Sequence, residues 1–271
     1  MAQLTKDKRM LEYRLLKPYS NISHFVTTRG GGVSKGNYAT FNCSPYSGDA
    51  KKDVQENQKI LLESLHSGEP TLLIPYQTHD KEIAVIERDF NHYTEPEQRT
   101  FLNRIDALIT SEPGFLLCVS TADCVPILLY DSHKHVIGAV HAGWRGTVKR
   151  ILYHTVEKMK VCYGSEPQHI LACIGPSISP KYFEVGDEVW QAFSEEGFDM
   201  PSLSFRNKET NKWHIDLWKA NQVQLEQAGV VSGHIELSGI CTYENHDRFF
   251  SARRLGIESG RILSGIMVNT Y

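Results

Sequence analysis

The most apolar stretch of the chain, residues 114–130, has to be buried, and this requirement constrains the fold more than any other sequence feature. Asp123 interrupts the stretch, Pro126 lies within it, and it is too short to span a bilayer comfortably. Two consecutive buried strands, 115–120 and 125–130, explain it better. The chain is therefore expected to be a soluble globular protein built around packed strands.

Further strands and helices follow from composition and periodicity. Eight more segments have the composition of strands: 22–28, 72–76, 82–86, 107–110, 136–141, 169–174, 213–217 and 262–268. Three helices are predicted: residues 54–66 capped by Asp53, a helix opened by Thr147 and stopped by Gly164, and 217–229 ending at Gly229. This mixture predicts an α+β protein with helices outside packed sheets, formed as one domain over residues 1–271.

Composition excludes several classes of protein. Lys and Arg number 29 and Asp and Glu 32, so the net charge of -3 gives no electrostatic reason to expect nucleic acid or an acidic membrane as partner. Residues 1–16 contain no apolar run of signal-peptide length, which predicts a cytoplasmic protein. Its six cysteines are then expected to be reduced, and the absence of a CxxC pair argues against a zinc knuckle.

The densest cluster of chemically unusual residues runs from 121 to 147. Cys124 lies between two predicted strands, and His141 ends the next strand before a Gly-rich loop. His79 follows another predicted strand, and strand ends are where ligands often collect. Two histidines and one cysteine could hold Zn²⁺ and leave one position for water or substrate. The residues alone leave a second interpretation open, in which each is a buried structural group.

Other residues near this cluster are candidates for proton transfer and anion binding. Asp123 and Asp80 adjoin the candidate ligands in sequence, and either could be a general acid–base or a structural cap. Arg29, followed by Gly30, Gly31 and Gly32, offers a cation and a flexible backbone for phosphate, although a simple glycine turn is the alternative. Arg145 is a second candidate for binding an anion, or a surface ion pair.

Several long segments resemble the YfiH/YlmD family, the bacterial relatives of the laccase-domain proteins. These are TADCVPILLYD at 121–131, VHAGWRGT at 140–147, HFVTTRGGGVSKGNYATFN at 24–42, and the later DALIT, IGPSISPKYFEVG and CTYENHDRFFSARR followed by SGR. The resemblance implies a four-layer α/β/β/α fold, similar to that of a cytotoxic-necrotizing-factor-like cysteine hydrolase. It also implies that His79, Cys124 and His141 are metal ligands, and Gln77-Thr78-His79-Asp80 departs from the family's usual Gln-Val-His-Gly only beside a ligand.

The function implied by the resemblance is that of a zinc-dependent enzyme whose substrates are purine nucleosides and phosphate. Its reactions would be phosphorolysis of adenosine, inosine, guanosine and methylthioadenosine, and deamination of adenosine. Cys124, His141, His79 and Asp123 would be catalytic, and Arg29, Gly31, Gly32, Asn42 and Arg145 are the candidates for binding substrate or phosphate.

Besides a binding protein without catalytic activity, three alternatives to this function stay open. A copper-dependent polyphenol oxidase needs several coppers, yet only His133-Lys134-His135 has the His-x-His form. Cu²⁺ could still occupy the Cys/His site in vitro, and the sequence does not decide between zinc and copper in vivo. A metal-free hydrolase would use Cys124 as nucleophile and His141 as base. An editing factor for peptidoglycan precursors is the third alternative. The sequence leaves the oligomeric state open.

Overall fold

The computed structural model describes residues 2–5, 8–65 and 69–270. The strands in these ranges are β1 (Gln3–Leu4), β2 (Met10–Glu12), β3 (Ile22–Thr27), β4 (Thr71–Leu73), β5 (Ile83–Val85), β6 (Ala107–Thr110), β7 (Phe115–Thr121), β8 (Val125–Asp131), β9 (Val136–Ala142), β10 (Ile170–Ile174), β11 (Glu184–Val185), β12 (Ser204–Arg206), β13 (Trp213–Ile215), β14 (Ile235–Leu237) and β15 (Ile262–Val268). The α-helices are α1 (Lys51–Leu65), α2 (Glu95–Phe101), α3 (Trp144–Val148), α4 (Ile151–Tyr163), α5 (Asp187–Glu195), α6 (Met200–Leu203), α7 (Leu217–Gln227) and α8 (Ala252–Leu255).

Two six-stranded sheets form the centre of the fold. The first has the order β1-β2-β3-β15-β7-β4, and the second has the order β14-β10-β8-β9-β6-β5. A small third sheet, β11-β13-β12, lies outside them. In the first sheet β15 pairs with both β3 and β7, although it is far from β3 in sequence.

Alternate side chains of the central strands enter different layers of the core. In β7, Leu117 and Val119 belong to the cluster between the two sheets, whereas Leu116 and Cys118 pack on the other face with Leu61 of α1. The same alternation in β8 and β9 places one face of the second sheet against α4 and α7. Both faces of the central strands are therefore buried, which explains the nearly continuous apolar runs and confirms the predicted α/β/β/α layering.

All ten predicted strands overlap observed ones, and three helix boundaries differ from the prediction. α1 begins at Lys51, so Asp53 lies in its first turn and is not the cap, while His66, its predicted last residue, lies outside the described residues. The second predicted helix begins at Trp144, so Thr147 lies inside it and does not open it. It is also really two helices, because Arg150 adopts a left-handed conformation (φ 58°) between α3 and α4. Gly164 and Gly229 end their helices with positive φ as predicted.

In the described part of the chain, no helix combines the length and apolar character that crossing a membrane requires.

Candidate metal centre

Cys124 and His141 are brought together by the pairing of β8 with β9. These strands are antiparallel, with Pro126 opposite His141 and Val125 opposite Ala142. Cys124 immediately precedes β8, so its side chain lies beside the end of β9 that carries His141. The short connection from β7 to β8, residues 122–124, also joins the first sheet to the second. The pair therefore lies where the ends of the two sheets meet.

His79 completes the cluster from the loop that follows β4. The donor atoms of His79, Cys124 and His141 all lie within 4.8 Å of one another, and the two imidazole rings meet edge to face. His141 is buried, Cys124 half-buried and His79 exposed. His79 has φ of 61°, and Asp123, next to Cys124, has φ of 87°. Residues other than glycine seldom adopt this backbone conformation, so the surrounding contacts must hold both loops in place.

Asp106 supplies those contacts on the His79 side, and the sequence analysis assigned it no role. It is fully buried, and its Oδ1 accepts a hydrogen bond of 2.7 Å from Nδ1 of His141. The same carboxylate accepts the backbone N–H of Thr78, His79 and Asp80 at 3.0–3.2 Å. One carboxylate therefore orients the ring of one candidate ligand and the backbone of another. It also fixes the His141 tautomer, so that Nε2 is free to bind a metal.

The charges of this cluster favour the thiolate form of Cys124 and the protonated form of His141, which must give up a proton when a metal binds. Burial raises the pKa of the Cys124 thiol, but His141 and His79 outweigh this effect and lower it below its ordinary value. Burial lowers the pKa of His141, and the negative charges of Cys124 and Asp106 raise it above its ordinary value. The thiolate is the form of cysteine that ligates metals. A thiolate and two imidazoles, one with its second nitrogen already hydrogen-bonded, fit Zn²⁺ well.

Gly143 leaves room for these three side chains. A Cβ atom at this position would lie 2.8 Å from Cδ2 of His79 and 3.2 Å from Sγ of Cys124. Its φ of -66° is open to any residue, so the requirement for glycine comes from space and not from backbone conformation. The Gly-rich loop after β9 therefore forms one wall of the centre.

The cluster lies on the wall of a cleft of about 1090 Å³. Besides the three candidate ligands, its lining includes Asp123, two arginines (Arg253 and Arg261) and four aromatic residues: Tyr38, Tyr46, Tyr76 and Phe183. Arg253 donates to the carbonyl of Glu184 at 3.1 Å, and Arg261 donates to the carbonyl of Ile257 at 2.9 Å. Burial lowers the pKa of Arg261, while the charges of Cys124 and Asp123 raise it. The cleft thus combines a candidate metal-binding cluster, aromatic surface and positive charge.

The two aspartates considered for proton transfer lie in different surroundings. Asp123 lines the cleft, and its carboxylate accepts the Thr242 hydroxyl at 2.6 Å and the Arg253 backbone N–H at 2.7 Å. Asp80 instead forms an ion pair of 2.6 Å with Lys149, and Asp80 is not part of the cleft lining. Asp123 is therefore the aspartate with access to a substrate in the cleft.

The residues predicted to bind phosphate or substrate are not part of the cleft lining. Arg29 donates to the carbonyls of Ala39 (2.6 Å) and His246 (2.8 Å), and Gly31 and Gly32 belong to the same packed turn. Arg145 is exposed and stacks on the Trp144 ring at 4.3 Å.

Asn42 is fully buried behind the cleft wall. It donates to Ser47 at 2.8 Å and accepts the backbone N–H of Arg261 at 3.0 Å. Because Ser47 and Arg261 both line the cleft, Asn42 supports two parts of that wall from behind.

Gln77 is a further residue to which the sequence analysis gave no role. Its side chain donates to the carbonyl of Ser120 at 2.9 Å and accepts the N–H of Ser120 at 2.7 Å, as a neighbouring strand would. The loop that carries His79 is thereby fastened to the end of β7. Only the position of Gln77 two residues before a candidate ligand could have drawn attention to it.

Comparisons with known proteins agree with this geometry. Residues 23–269 match the family model described as multi-copper polyphenol oxidoreductase laccase. A purine nucleoside phosphorylase of Bacteroides thetaiotaomicron is 55% identical over 99% of this chain and 100% of its own length. Adenosine deaminase RL5, from an unknown prokaryotic organism, is 42% identical over 92% of this chain and 95% of its own.

The crystal structure of YlmD from Geobacillus stearothermophilus superposes with a TM-score of 0.89 at 30% identity, covering 99% of both chains. This coverage includes both sheets and the segments that carry the three candidate metal ligands. The match to the family model and the near-complete coverage of these relatives show that the chain belongs to the laccase-like YfiH/YlmD family.

Proposed function

We propose that this chain is a zinc-dependent purine nucleoside phosphorylase. In this reaction a phosphate oxygen bonds to C1′ of the ribose, the N-glycosidic bond breaks, and the free purine and ribose 1-phosphate are released. The observation that supports the proposal is the cluster of His79, Cys124 and His141 on the wall of a cleft with room for a nucleoside. The name of the Bacteroides thetaiotaomicron relative supports the same reaction.

Zinc is the metal that we propose for the cluster. Three protein ligands of nitrogen and sulfur leave one coordination position open, as in catalytic zinc sites. When bound, zinc supplies a Lewis acid that polarises a substrate group or water. Copper binds such donors more tightly and could replace zinc in vitro. Among the described residues, however, only this one group brings three metal-binding side chains together, whereas multicopper oxidation needs several coppers.

The cleft's own residues are assigned the remaining tasks. Arg253 and Arg261 provide the positive charge that would hold phosphate beside the ribose, because guanidinium groups match phosphate oxygens in geometry and charge. Asp123 shares the wall with Cys124 and is the group proposed to exchange a proton with the leaving base. A phosphate-binding role for Arg29 stays a prediction, since Arg29 does not line the cleft.

The phosphate assignment can be tested by comparing adjacent arginines. Arg253→Ala is expected to raise the KM for phosphate about 10-fold or more, which corresponds to a charge-assisted hydrogen bond of about 1.5–3 kcal/mol. Arg254→Ala is the matched control, because Arg254 is also exposed, bonds to the Tyr243 hydroxyl and does not line the cleft. Equal effects of the two substitutions on the KM for phosphate, or a larger effect of Arg29→Ala, would contradict the assignment of phosphate binding to Arg253.

Adenosine deamination is a second candidate, favoured by the name of the RL5 relative. It uses water where phosphorolysis uses phosphate, and it converts adenosine and water into inosine and ammonia. The same zinc cluster and Asp123 would serve both reactions. Incubating the zinc-loaded protein with adenosine, with and without phosphate, separates them by product. Adenine with ribose 1-phosphate supports phosphorolysis, and inosine formed in the absence of phosphate supports deamination.

A metal-free hydrolase, including one that acts on a peptidoglycan precursor, would use the same residues differently. The lowered pKa of Cys124 and the raised pKa of His141 are also those of a nucleophile and its base. The two functions differ in metal content. Cys124→Ser should lose bound zinc with the fold intact if the cluster is a zinc site. Zinc-free wild-type protein that hydrolyses substrate at full rate would contradict the zinc proposal.

A further inference from the structure

The mouth of the cleft carries an unusual concentration of exposed apolar surface. Among the described residues, eight large hydrophobic side chains are exposed, and three of them, Tyr46, Tyr76 and Ile257, line this cleft. Exposed side chains of this size scattered singly need no explanation, but their concentration at one concave site indicates a surface that binds a ligand.

Tyr46 and Tyr76 come from two different loops and meet at the cleft. Their ring centroids are 5.2 Å apart with an interplanar angle of 78°. In this edge-to-face arrangement, one ring directs its edge at the other, so the faces of that ring are not covered by its partner. Tyr46 and Tyr76 are 47% and 48% exposed, so aromatic surface remains uncovered in both. A planar aromatic ligand could therefore stack face to face on one ring and contact the other at a steep angle, without first separating the pair.

The backbones that carry the two rings are held in place. On one side, the Ser47 hydroxyl donates to the carbonyl of Ser44 and accepts from the buried Asn42. On the other, the Tyr76 N–H donates to the carbonyl of Leu102 at 2.9 Å, next to the Gln77 side chain that is bonded to β7. Aromatic rings on fixed backbones lose little conformational entropy when a ligand binds.

We infer that Tyr46 and Tyr76 hold the nucleoside's base, one ring stacking on its face and the other contacting it at a steep angle, and that they make the cleft selective for two-ring purines over one-ring pyrimidines. This inference rests on the proposed function, because it assigns the base-binding part of the same cleft. A fused two-ring base covers more aromatic surface than a single ring. Stacking on an aromatic side chain tolerates different ring substituents, so adenine and hypoxanthine would both bind.

The experiment measures inosine binding to the zinc-loaded protein by calorimetry without phosphate, and inosine KM and kcat with phosphate. Tyr46→Leu and Tyr76→Leu are expected to weaken binding and raise KM about 10-fold or more, as loss of base stacking does, with little change in kcat. Tyr→Phe at either position keeps the ring and should bind like the wild type. Phe205→Leu is the matched control, because Phe205 is 49% exposed and lies outside the cleft.

Three results would overturn the inference: leucine variants that bind inosine like the wild type, phenylalanine variants as weak as the leucine ones, or wild-type protein that binds uridine as tightly as inosine. Failure of the proposed function has a different signature. Wild-type protein that binds inosine in a Tyr46-dependent manner but releases no hypoxanthine with phosphate would contradict the phosphorylase while supporting the stacking surface. Wild-type protein that does not bind inosine at all would contradict both.

Discussion

Replacing Asp106 by asparagine is expected to lower zinc affinity about 10- to 100-fold, because a group that hydrogen-bonds a metal ligand contributes this much. The substitution preserves size but converts one carboxylate oxygen into an NH₂ group. Oδ1 accepts His141 Nδ1 and the His79 N–H, and Oδ2 accepts the N–H groups of Thr78 and Asp80. An asparagine can serve only one of these pairs.

Either orientation of the asparagine damages the site. If NH₂ faces His141, that ring must turn its Nδ1 into an acceptor, and the proton then moves to Nε2, where it blocks the metal. If NH₂ faces Thr78 and Asp80, two N–H donors lose their acceptor, at about 1–3 kcal/mol for each buried group. The loop that carries His79 is then released. In zinc affinity, 10- to 100-fold corresponds to about 1.4–2.7 kcal/mol.

The assay is competition for zinc against a chromophoric chelator at fixed pH, with circular dichroism as the check on folding. Asp131→Asn is the matched control. Asp131 is also fully buried and accepts two backbone N–H groups, from His133 and Lys134, but it contacts none of the candidate ligands. A folded Asp106→Asn protein with wild-type zinc affinity, or an equal loss in Asp131→Asn, would refute the reasoning.

Three further results are expected. Gly143→Ala should reduce zinc occupancy because its Cβ would press on His79 and Cys124, whereas Gly233→Ala, with no atom within 4 Å of its Cβ, should not; equal zinc content in the two variants would contradict this. His24 is half-buried and accepts the Tyr13 N–H, and burial lowers its pKa from 6.5 to about 4. As the pH falls, His24 is therefore protonated in the unfolded chain before it is protonated in the folded protein. Its contribution to the free energy of unfolding is complete above pH 6.5 and is lost as the pH drops to 4, by at most about 3 kcal/mol. Urea unfolding of His24→Gln, which keeps an acceptor, should show a flatter pH dependence than the wild type; parallel curves would exclude His24 as the cause. Finally, one batch of stripped protein reloaded with zinc or with copper should oxidise phenols only with copper, because Zn²⁺ has no redox chemistry, and should convert nucleosides in the zinc form. Phenol oxidation by the zinc form would contradict this expectation.

Much of the fold was predictable because burial on both faces leaves a strong mark on the sequence. β7, β8 and β9 have apolar residues at nearly every position, and their predicted and observed boundaries agree to within one residue. The break at Arg150 was not predictable, because no glycine or proline marks it. Short edge strands such as β1 and β12 are also too short and too exposed to leave a pattern.

The residues of the site were predictable where their chemistry is unusual. They were not predictable where their role depends on contacts between residues that are distant in sequence. Cysteine and histidine at strand ends are rare enough to notice, and the structure brings Cys124, His141 and His79 together. Asp106 precedes an apolar strand, where an aspartate resembles an ordinary turn residue. Its importance comes from residues 27 and 35 positions away that only the folded chain brings to it. Arg253 and Arg261 are likewise cleft residues only in three dimensions.

The central position of β15 has a consequence for synthesis on the ribosome. β3 pairs with β15, with Val26 opposite Ser264, so this strand leaves the ribosome roughly 240 residues before its partner exists. β7 pairs with β15 as well, so one edge of β7 also stays unpaired until β15 has been synthesised. A nascent chain shorter than this point exposes two unpaired sheet edges, which favours chaperone binding and aggregation. Arg261 directly precedes β15, so the last wall of the cleft is added together with the strand that closes the first sheet.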